Sequence, residues 1–445
     1  MTAPTVSFAT LGCRLNQVDS QEIQAALEAR GFRTVAAHEP ADVVVINTCT
    51  VTARAELSDR QAIRRAVRRG PGTRVVVTGC WAQVDPDAIA RIGGVDLVVG
   101  NADKLRLPAL VERLLADDAP ERRPWRHVSD VGGQRGLAPA PLAPGNRSRA
   151  FVKIQEGCQH RCAFCIVPRA RGPSRSREPH VVIDQIRQLV EAGHAEVVLT
   201  GVDMGHYGAD LTPTTTLAAL LRAIVGIPGL RRVRLSSLLP AYFTPELVEV
   251  VTGSDRVTPH LHIPLQSGSD SVLRAMRRPY TVAMYRRLVE SLAVAIPGLG
   301  LGSDLIAGFP GETEDDFART MRLVSDLPFT YLHVFPYSDR RGTEAASLQG
   351  HLASGVVAGR SAELRQLGAA KSLAFRRSLV GRRREVVVLE RRERSRGALV
   401  GLTGNYVEVI FDGPDAVTRR LVEIEVTAAA GERTFGTLGA VPAFV

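Results

Sequence analysis

At 445 residues, 45% hydrophobic and 23% charged, the chain has the composition of ordinary soluble globular protein, with room for two to four domains. No apolar run reaches membrane-spanning length, Met1–Val6 lacks a basic start followed by an apolar stretch, and six scattered cysteines do not form a secreted disulfide framework. A reducing cytoplasm is therefore the expected compartment, with no membrane partner; the formal net charge of +10 fits either a polyanionic partner or a solvated surface rich in arginine.

Residues 1–115 alternate between β-rich runs at Thr5–Thr10, Asp42–Asn47, Arg74–Thr78 and Asp96–Val99 and helical patterns at Gln21–Arg30, Ser58–Arg69 and Asp87–Ile92. Such alternation predicts a small parallel sheet with helices on its faces. Cys13, Cys49 and Cys80 follow the first, second and third runs, and ligands in open α/β sheets bind beyond the carboxyl ends of strands. A single buried cysteine is usually a small hydrophobe. Three at equivalent strand ends predict a three-thiol cluster.

Residues 116–148 are rich in Asp, Pro, Arg and Gly without periodicity and read as a linker or surface excursion. A second array spans 149–372. Its strand candidates are Ala150–Ile154, Glu196–Thr200, Arg232–Ser236, Thr258–Ile263, Gly300–Ile306 and Tyr331–Phe335, with helices at His180–Ala192, Leu217–Ile224, Asp270–Met276 and Glu314–Leu327. Six βα units predict a partial (β/α)6 barrel with functional loops at the carboxyl ends of its strands.

After the first of these strands comes Gly157-Cys158-Gln159-His160-Arg161-Cys162-Ala163-Phe164-Cys165, with three thiols spaced C-x3-C-x2-C. No regular element turns all three to one side, so a loop wrapped around a metal centre is expected. A closed zinc site wants four ligands, and so does a fully ligated [4Fe-4S] cluster; three thiolates leave one iron open. The alternatives are buried free cysteines or a zinc loop completed by His160. Further along, Thr200-Gly201-Val202-Asp203, Ser236-Ser237, His262-Ile263-Pro264-Leu265-Gln266 and Gly308-Phe309-Pro310-Gly311 close strands with polar or glycine-rich groups. Thr200, Gly201, Ser237 and Gln266 are candidate ligand contacts there, with turn formation and helix capping as the competing reading.

Residues 373–445 change character. Short β-like runs at Val386–Glu390, Ala398–Leu402, Tyr406–Ile410 and Leu421–Val426, with Gly436-Thr437-Leu438-Gly439 closing the set, predict a small β-barrel. Arg382–Arg384, Arg391, Arg392, Arg394, Arg396, Arg419 and Arg420, with Tyr406, suit RNA contact or a solvated charged surface.

Taken together, Leu11-Gly12-Cys13-Arg14-Leu15-Asn16, Asn47-Thr48-Cys49-Thr50-Val51-Thr52, Thr78-Gly79-Cys80, the Cys158/Cys162/Cys165 loop, Leu265-Gln266-Ser267-Gly268-Ser269 and Gly308–Thr313 resemble the radical S-adenosylmethionine (SAM) methylthiotransferases. The resemblance implies two [4Fe-4S] clusters, an auxiliary one on Cys13, Cys49 and Cys80 and a radical SAM one on Cys158, Cys162 and Cys165. It also implies SAM, with Phe164 beside it and Thr200, Gly201, Ser237 and Gln266 as contacts, and a C-terminal TRAM barrel that binds the substrate. No catalytic residue beyond the cluster ligands is expected. The implied reaction removes hydrogen from carbon 2 of an adenine next to the anticodon and inserts a methylthio group. The expected partners are the anticodon stem-loop of tRNA, an electron donor such as flavodoxin or ferredoxin, and a sulfur donor.

Within that family, Asp59–Arg65, Lys153–Cys158 and His333-Val334-Phe335-Pro336-Tyr337-Ser338 are similar to the branch acting on N6-threonylcarbamoyladenosine. Val18-Asp19-Ser20 resembles the other branches, which act on isopentenyladenosine of tRNA or on an aspartate of a ribosomal protein, and Asp203-Met204-Gly205-His206 departs from the usual ligand motif.

Overall fold

A computed structural model describes residues 3–70, 72–117, 124–139 and 147–439. The chain begins with β1 (Thr5–Thr10), α1 (Arg14–Glu28), β2 (Arg33–Thr34), β3 (Val43–Thr48), α2 (Ala53–Val67), β4 (Arg74–Gly79), α3 (Cys80–Val84), α4 (Pro86–Ala90), β5 (Leu97–Val99), α5 (Leu107–Leu115) and β6 (Trp125–His127). The six strands form one sheet, ordered β2-β1-β3-β4-β5-β6, with every neighbouring pair parallel. Valine-rich β3 is buried along its whole length because helices cover both faces. Val43, Val45 and Val76 pack into one core and Val44, Ile46 and Val77 into the other.

Several details differ from the sequence expectation: α2 starts at Ala53 rather than Ser58, and α5 was not expected. The helix expected from Gln21 starts at Arg14, directly after Cys13, because its first turns bury polar side chains rather than apolar ones: Asn16, Asp19 and Ser20 are all buried. The segment read as a linker supplies β6, which pairs with β5 and extends the sheet beyond residue 115. Residues 118–123 and 140–146 of that segment lie outside the described residues.

The central unit contains β7 (Arg149–Lys153), β8 (Gln155–Glu156), α6 (Val167–Arg171), β9 (Arg175–Ser176), α7 (Pro179–Glu191), β10 (Glu196–Thr200), α8 (Leu217–Val225), β11 (Arg232–Leu235), α9 (Pro245–Gly253), β12 (His260–His262), α10 (Asp270–Ala275), α11 (Val282–Ala295), β13 (Gly300–Ala307), α12 (Glu314–Asp326), β14 (Tyr331–Pro336) and α13 (Ser354–Arg377). Parallel sheets β11-β10-β7 and β12-β13-β14 meet through a parallel bridge between Val233 and Val257. They make six parallel strands of an incomplete barrel. Outward residues such as Val152, Val197, Leu199, Leu261, Leu301 and Leu305 pack against the helices in the largest apolar core. The alternate residues, among them Glu196, Arg234, His260, His262, Asp304 and His333, face inward. The barrel interior is polar.

The chain ends in β15 (Arg383–Arg392), β16 (Leu399–Thr403), β17 (Glu408–Phe411), β18 (Leu421–Ala430) and β19 (Arg433–Leu438), a closed barrel ordered β15-β16-β17-β19-β18 around Val386, Val409, Phe411 and Ile424. The fold is thus α/β, with an N-terminal parallel sheet, a partial barrel and a small all-β barrel of TRAM type. Arg234 reaches from the central barrel to the Gly404 carbonyl at 2.9 Å. Beside it, Tyr406 stacks on His260 at 4.3 Å between centroids.

Candidate active site

β1, β3 and β4 are adjacent and level: Thr10 pairs with Asn47, Asn47 with Thr78, and Thr48 with Gly79. The cysteines that follow are therefore presented side by side. Asn16 ties the loops together, donating from Nδ2 to the Leu11 carbonyl at 2.7 Å and to the Thr48 carbonyl at 3.0 Å. Gly12 holds φ +92°, and a Cβ there would stand 2.7 Å from Cys49 Cβ. At φ +99°, Gly79 would place a Cβ 2.4 Å from Asn47 Oδ1. Both turns need glycine, and both bring backbone against a ligand-bearing loop.

Cys49 and Cys80 are buried and Cys13 is exposed, and none is in a disulfide. Burial, then charge on Cys80, pushes the Cys49 thiol up to about 12. Burial likewise raises Cys80 despite the nearby Arg171 guanidinium. Such thiols become thiolates when a cation takes the proton's place. Three cysteines at adjacent strand ends, the other three described thiols lying on a separate loop, fit a [4Fe-4S] cluster with one open iron.

The second set lies on the loop between β8 and α6. Gly157, at φ +77°, starts it, packed so closely that a Cβ would fall 1.8 Å from the Pro173 carbonyl oxygen. Cys158, Cys162 and Cys165 line a single hollow of about 420 Å³. Burial pushes Cys165 up to about 11. This donor set also fits a three-thiolate [4Fe-4S] cluster, and His160 is engaged elsewhere, with Nε2 2.7 Å from the Tyr242 hydroxyl. That hydroxyl donates to Asp203 Oδ2 at 3.2 Å, and the Cys158 thiol donates to the same oxygen at 3.7 Å. Gln155 Oε1 accepts the backbone N–H groups of Val202 and Asp203 at 3.0 and 2.8 Å, fixing the end of β10.

The segments that follow the two cysteine sets meet at one cavity of about 230 Å³, which Cys165 itself lines. Val51 and Thr52, just past Cys49, form one wall; Phe164 and Cys165 form another; Gln266, Asp304, Ile306, Phe335 and Tyr337 complete it from the strand ends. Gln266, with φ +67°, is held by its backbone N–H on the Asp304 carbonyl at 2.8 Å. Of the five sequence candidates for cofactor contact, Phe164 and Gln266 line this cavity. Thr200 is buried at the end of β10, and a Cβ on Gly201 would meet Met204 Cγ at 2.8 Å. Ser237 instead lies 2.6 Å from His262 Nδ1. His262 Nε2 stands 3.2 Å from Asp304 Oδ1, and His333 Nδ1 reaches that oxygen at 3.1 Å. Asp304 is held well below the usual carboxylate range: burial raises it, but the two imidazoles outweigh burial.

Sequence motifs missed two arginines. Arg278 donates from Nη1 to Cys162 Sγ at 3.1 Å and from Nε to the Tyr280 hydroxyl at 3.0 Å. Arg171, at the end of α6, joins the two units: it donates to Glu156 at 2.7 Å, to Asn16 at 2.6 Å and to Asp19 at 3.0 Å. Lys104 and Lys153 also meet Asp19, at 3.0 and 2.7 Å. The only advance signal was that Lys104 and Lys153 are two of just three lysines in the chain.

The uncharacterized protein family UPF0004 matches residues 5–100, and the radical SAM superfamily matches residues 152–324. Threonylcarbamoyladenosine tRNA methylthiotransferase MtaB of Bacillus subtilis is 38% identical over 428 residues, covering 96% of this chain and 94% of its own. The tRNA-2-methylthio-N(6)-dimethylallyladenosine synthase of Moorella thermoacetica is also 38% identical, over 435 residues, covering 96% of each. Among solved structures, the radical SAM methyltransferase TsrM of Kitasatospora setae, with cobalamin and a [4Fe-4S] cluster bound, superposes with a TM-score of 0.58. It has 18% identity and covers 78% of this chain and 77% of its own, a likeness of fold.

Proposed function

The chain belongs to the radical SAM methylthiotransferases, and we propose that its substrate is the N6-threonylcarbamoyladenosine next to the anticodon of tRNA, methylthiolated at carbon 2. Its cofactors are two [4Fe-4S] clusters and SAM. The observation that carries the reading is the shared cavity, bordered by Val51 and Thr52 from the Cys49 loop and by Phe164 and Cys165 from the other. Transfer of a group between two centres requires both to reach one atom of the substrate, and a duplex or stacked base cannot do that without being extruded.

In this reading Cys13, Cys49 and Cys80 hold one cluster and Cys158, Cys162 and Cys165 the other. When bound, these centres and SAM supply the radical chemistry and the sulfur. The chain's own residues do the rest. Phe164, Ile306 and Phe335 give the cavity apolar walls that keep water from a reactive carbon centre, while Gln266 presents a polar group at its edge. Gly12, Gly79 and Gly157 allow the backbone to pack closely around the ligand-bearing loops.

Two features support threonylcarbamoyl over isopentenyl as the substituent. Phe335, Pro336, Tyr337 and Ser338, part of the run similar to the threonylcarbamoyl branch, line the cavity. Among them Asp304, bonded to His262 and His333, offers a hydrogen-bond acceptor that suits a hydroxyl or urea better than a hydrocarbon. The Moorella relative, of equal identity, keeps isopentenyladenosine as the second reading.

Mass spectrometry of tRNA nucleosides from cells with and without the gene tests the assignment. Loss of methylthiolated threonylcarbamoyladenosine, with accumulation of its parent, is the expected result. Loss of the isopentenyl derivative instead overturns the substrate; no change in either overturns the tRNA reading and turns attention to a ribosomal protein. Flavodoxin or ferredoxin as electron donor, and a separate sulfur donor, complete the proposal.

A further inference from the structure

The strongest unassigned feature is α2. This helix starts at the rim of the shared cavity: Val51 and Thr52 line it, Thr52 caps the helix by accepting from the Ala55 N–H, and the Ala53 N–H donates to Ser338 Oγ at 3.1 Å. Its inward side buries Asp59, Ile63 and Ala66. Its outward stripe, at helical spacing, reads Arg54, Leu57, Ser58, Gln61, Arg64, Arg65 and Arg68, all exposed. No carboxylate lies on that stripe. The two acidic side chains of α2 are turned away: Glu56 binds Arg340 at 2.7 Å, and Asp59 is buried, accepting the Cys49 N–H at 2.9 Å.

Among the described residues, Arg54, Arg64, Arg65 and Arg68 are in no ion pair. Arg60 and Arg64 open onto a groove of about 420 Å³ whose far side carries Arg91, likewise in no ion pair. The Arg60 guanidinium is held in place, 4.6 Å over the buried Trp81 ring. In the C-terminal barrel, where the sequence reading placed RNA contact, exposed Arg382, Arg394 and Arg419 are likewise in no ion pair among the described residues, but the others differ. Arg383, Arg391, Arg392 and Arg396 there are each ion-paired, with Glu423, Glu408, Asp415 and Asp412. Paired guanidiniums have already spent much of their charge on a neighbour; those of α2 have not.

We propose that the exposed stripe of α2, with the groove toward Arg91, binds the phosphate backbone of the anticodon stem while the target adenine occupies the cavity at the helix's start. The inference rests on the tRNA reading above. Charge and continuity both favour this occupant: a row of cations without carboxylates suits a polyanion, and the row begins at the cavity where the base would sit. From Arg54 to Arg64 the helix rises about 15 Å, a span of several nucleotides. These contacts read backbone rather than sequence, so they set register and orientation for whichever tRNA presents the correct base.

The test is equilibrium binding of a modified anticodon stem-loop to the cluster-loaded full-length protein across a series of KCl concentrations. Wild type is compared with Arg64→Gln/Arg65→Gln/Arg68→Gln and with the charge reversal Arg64→Glu/Arg65→Glu. Removing three phosphate contacts is expected to lower the slope of log affinity against log salt by roughly 2 to 3, and to weaken binding at least tenfold at low salt. Iron content and thermal unfolding are expected to stay at wild-type values, because the replaced side chains are exposed. If wild type binds and the variants match it in affinity and slope, the α2 surface is overturned while the tRNA reading stands. If wild type itself binds no stem-loop, both fall together.

Discussion

Arg171 Nη2 lies 3.0 Å from Asp19 Oδ2, with each side chain only 2% exposed, although one belongs to the central barrel and the other to the N-terminal sheet domain. Around this pair Lys104, Lys153 and Arg177 meet Glu22 and Glu156. With Arg175, 4.0 Å from Glu156, five cations face three carboxylates, and the positive excess sits beside Cys80, whose sulfur the Arg171 guanidinium reaches. The network therefore joins the two units and also offers positive charge to the auxiliary thiolates.

Replacing Asp19 by Ala is expected to strand buried cations and destabilise the interface by about 3–5 kcal/mol. Thermal unfolding, read together with hydrogen exchange of α1, checks this. Acid should act on the same network. Burial raises Glu156, but Lys104 and Lys153 outweigh it and hold the carboxyl down to about 2, against an ordinary 4.5; Asp19 is also held well below its ordinary range. Carboxyls depressed on folding stabilise fully above their unfolded values and lose that contribution as pH falls through the folded ones. The contribution of these two carboxyls should be level above about pH 5 and should decline from about 4.5 toward 2, more shallowly in an Asp19→Asn variant; Asp59, pushed up to about 7 by burial, acts the other way and loses its contribution as pH rises from about 4 to 7.

Iron loading tests the ligand sets separately. The Cys13/Cys49/Cys80→Ala and Cys158/Cys162/Cys165→Ala variants should each retain about half the iron and sulfide of wild type, near four atoms of each per chain in place of about eight. Gly12→Ala should mimic the first variant. Its Cβ would press to 2.9 Å from Cys49 Sγ at a φ of +92°, so the loop must move before a cluster can be held. Retention of all the iron in either triple variant would sink the assignment of that set.

What the sequence disclosed and what it hid follow one physical line. Valine-rich strands and the cysteines just past them were legible, because a two-residue period and a strand end are local properties. The start of α1 was not, since Asn16, Asp19 and Ser20 look like loop residues until their partners arrive from Thr48, Arg171 and Asn47. Helix α13 escaped for a related reason: its buried positions include Arg360, Ser361, Gly368 and Arg376, which leave no apolar stripe to read. Phe164 and Gln266 were found from motifs and line the cavity. Arg171 and Arg278 act across distance, and no spacing announces them.

Arg278 is expected to tune the barrel centre. It donates to Cys162 Sγ at 3.1 Å and is braced by Tyr280, whose hydroxyl donates to the carbonyls of Pro264 and Leu265 just before Gln266. A cationic donor on a ligand sulfur stabilises the more negative, reduced state. Arg278→Met should therefore lower the midpoint potential of the barrel cluster, measured by redox titration with electron paramagnetic resonance, and leave the auxiliary cluster's signal in place. An unchanged potential with full iron would assign Arg278 to packing alone.

Tyr406 couples the small β-barrel to the polar interior of the large one. Its ring lies 4.3 Å from His260 and 5.5 Å from Tyr331, with the Arg234 guanidinium 5.2 Å from its centroid and the Arg14 guanidinium bonded to its hydroxyl. Arg14 follows Cys13 directly, so one side chain of the C-terminal barrel touches both other units. Tyr406 also holds φ +71°, a conformation that L residues rarely adopt, and its surroundings must compensate for that strain. Tyr406→Ala removes the ring and leaves the interior of the barrel partly open, at a cost of roughly 3 kcal/mol. Tyr406→Gly removes the same ring but relieves the backbone, so it should be the milder of the two. Hydrogen exchange should show faster opening where Gly404 and Asn405 meet Arg234 and Gly298, with the strands of the small barrel still protected around Val409 and Ile424. Equal exchange in both variants and wild type would mean that the remaining contacts, such as Arg232 with Glu385 and Ser148 with Glu390, hold the barrels together without the ring.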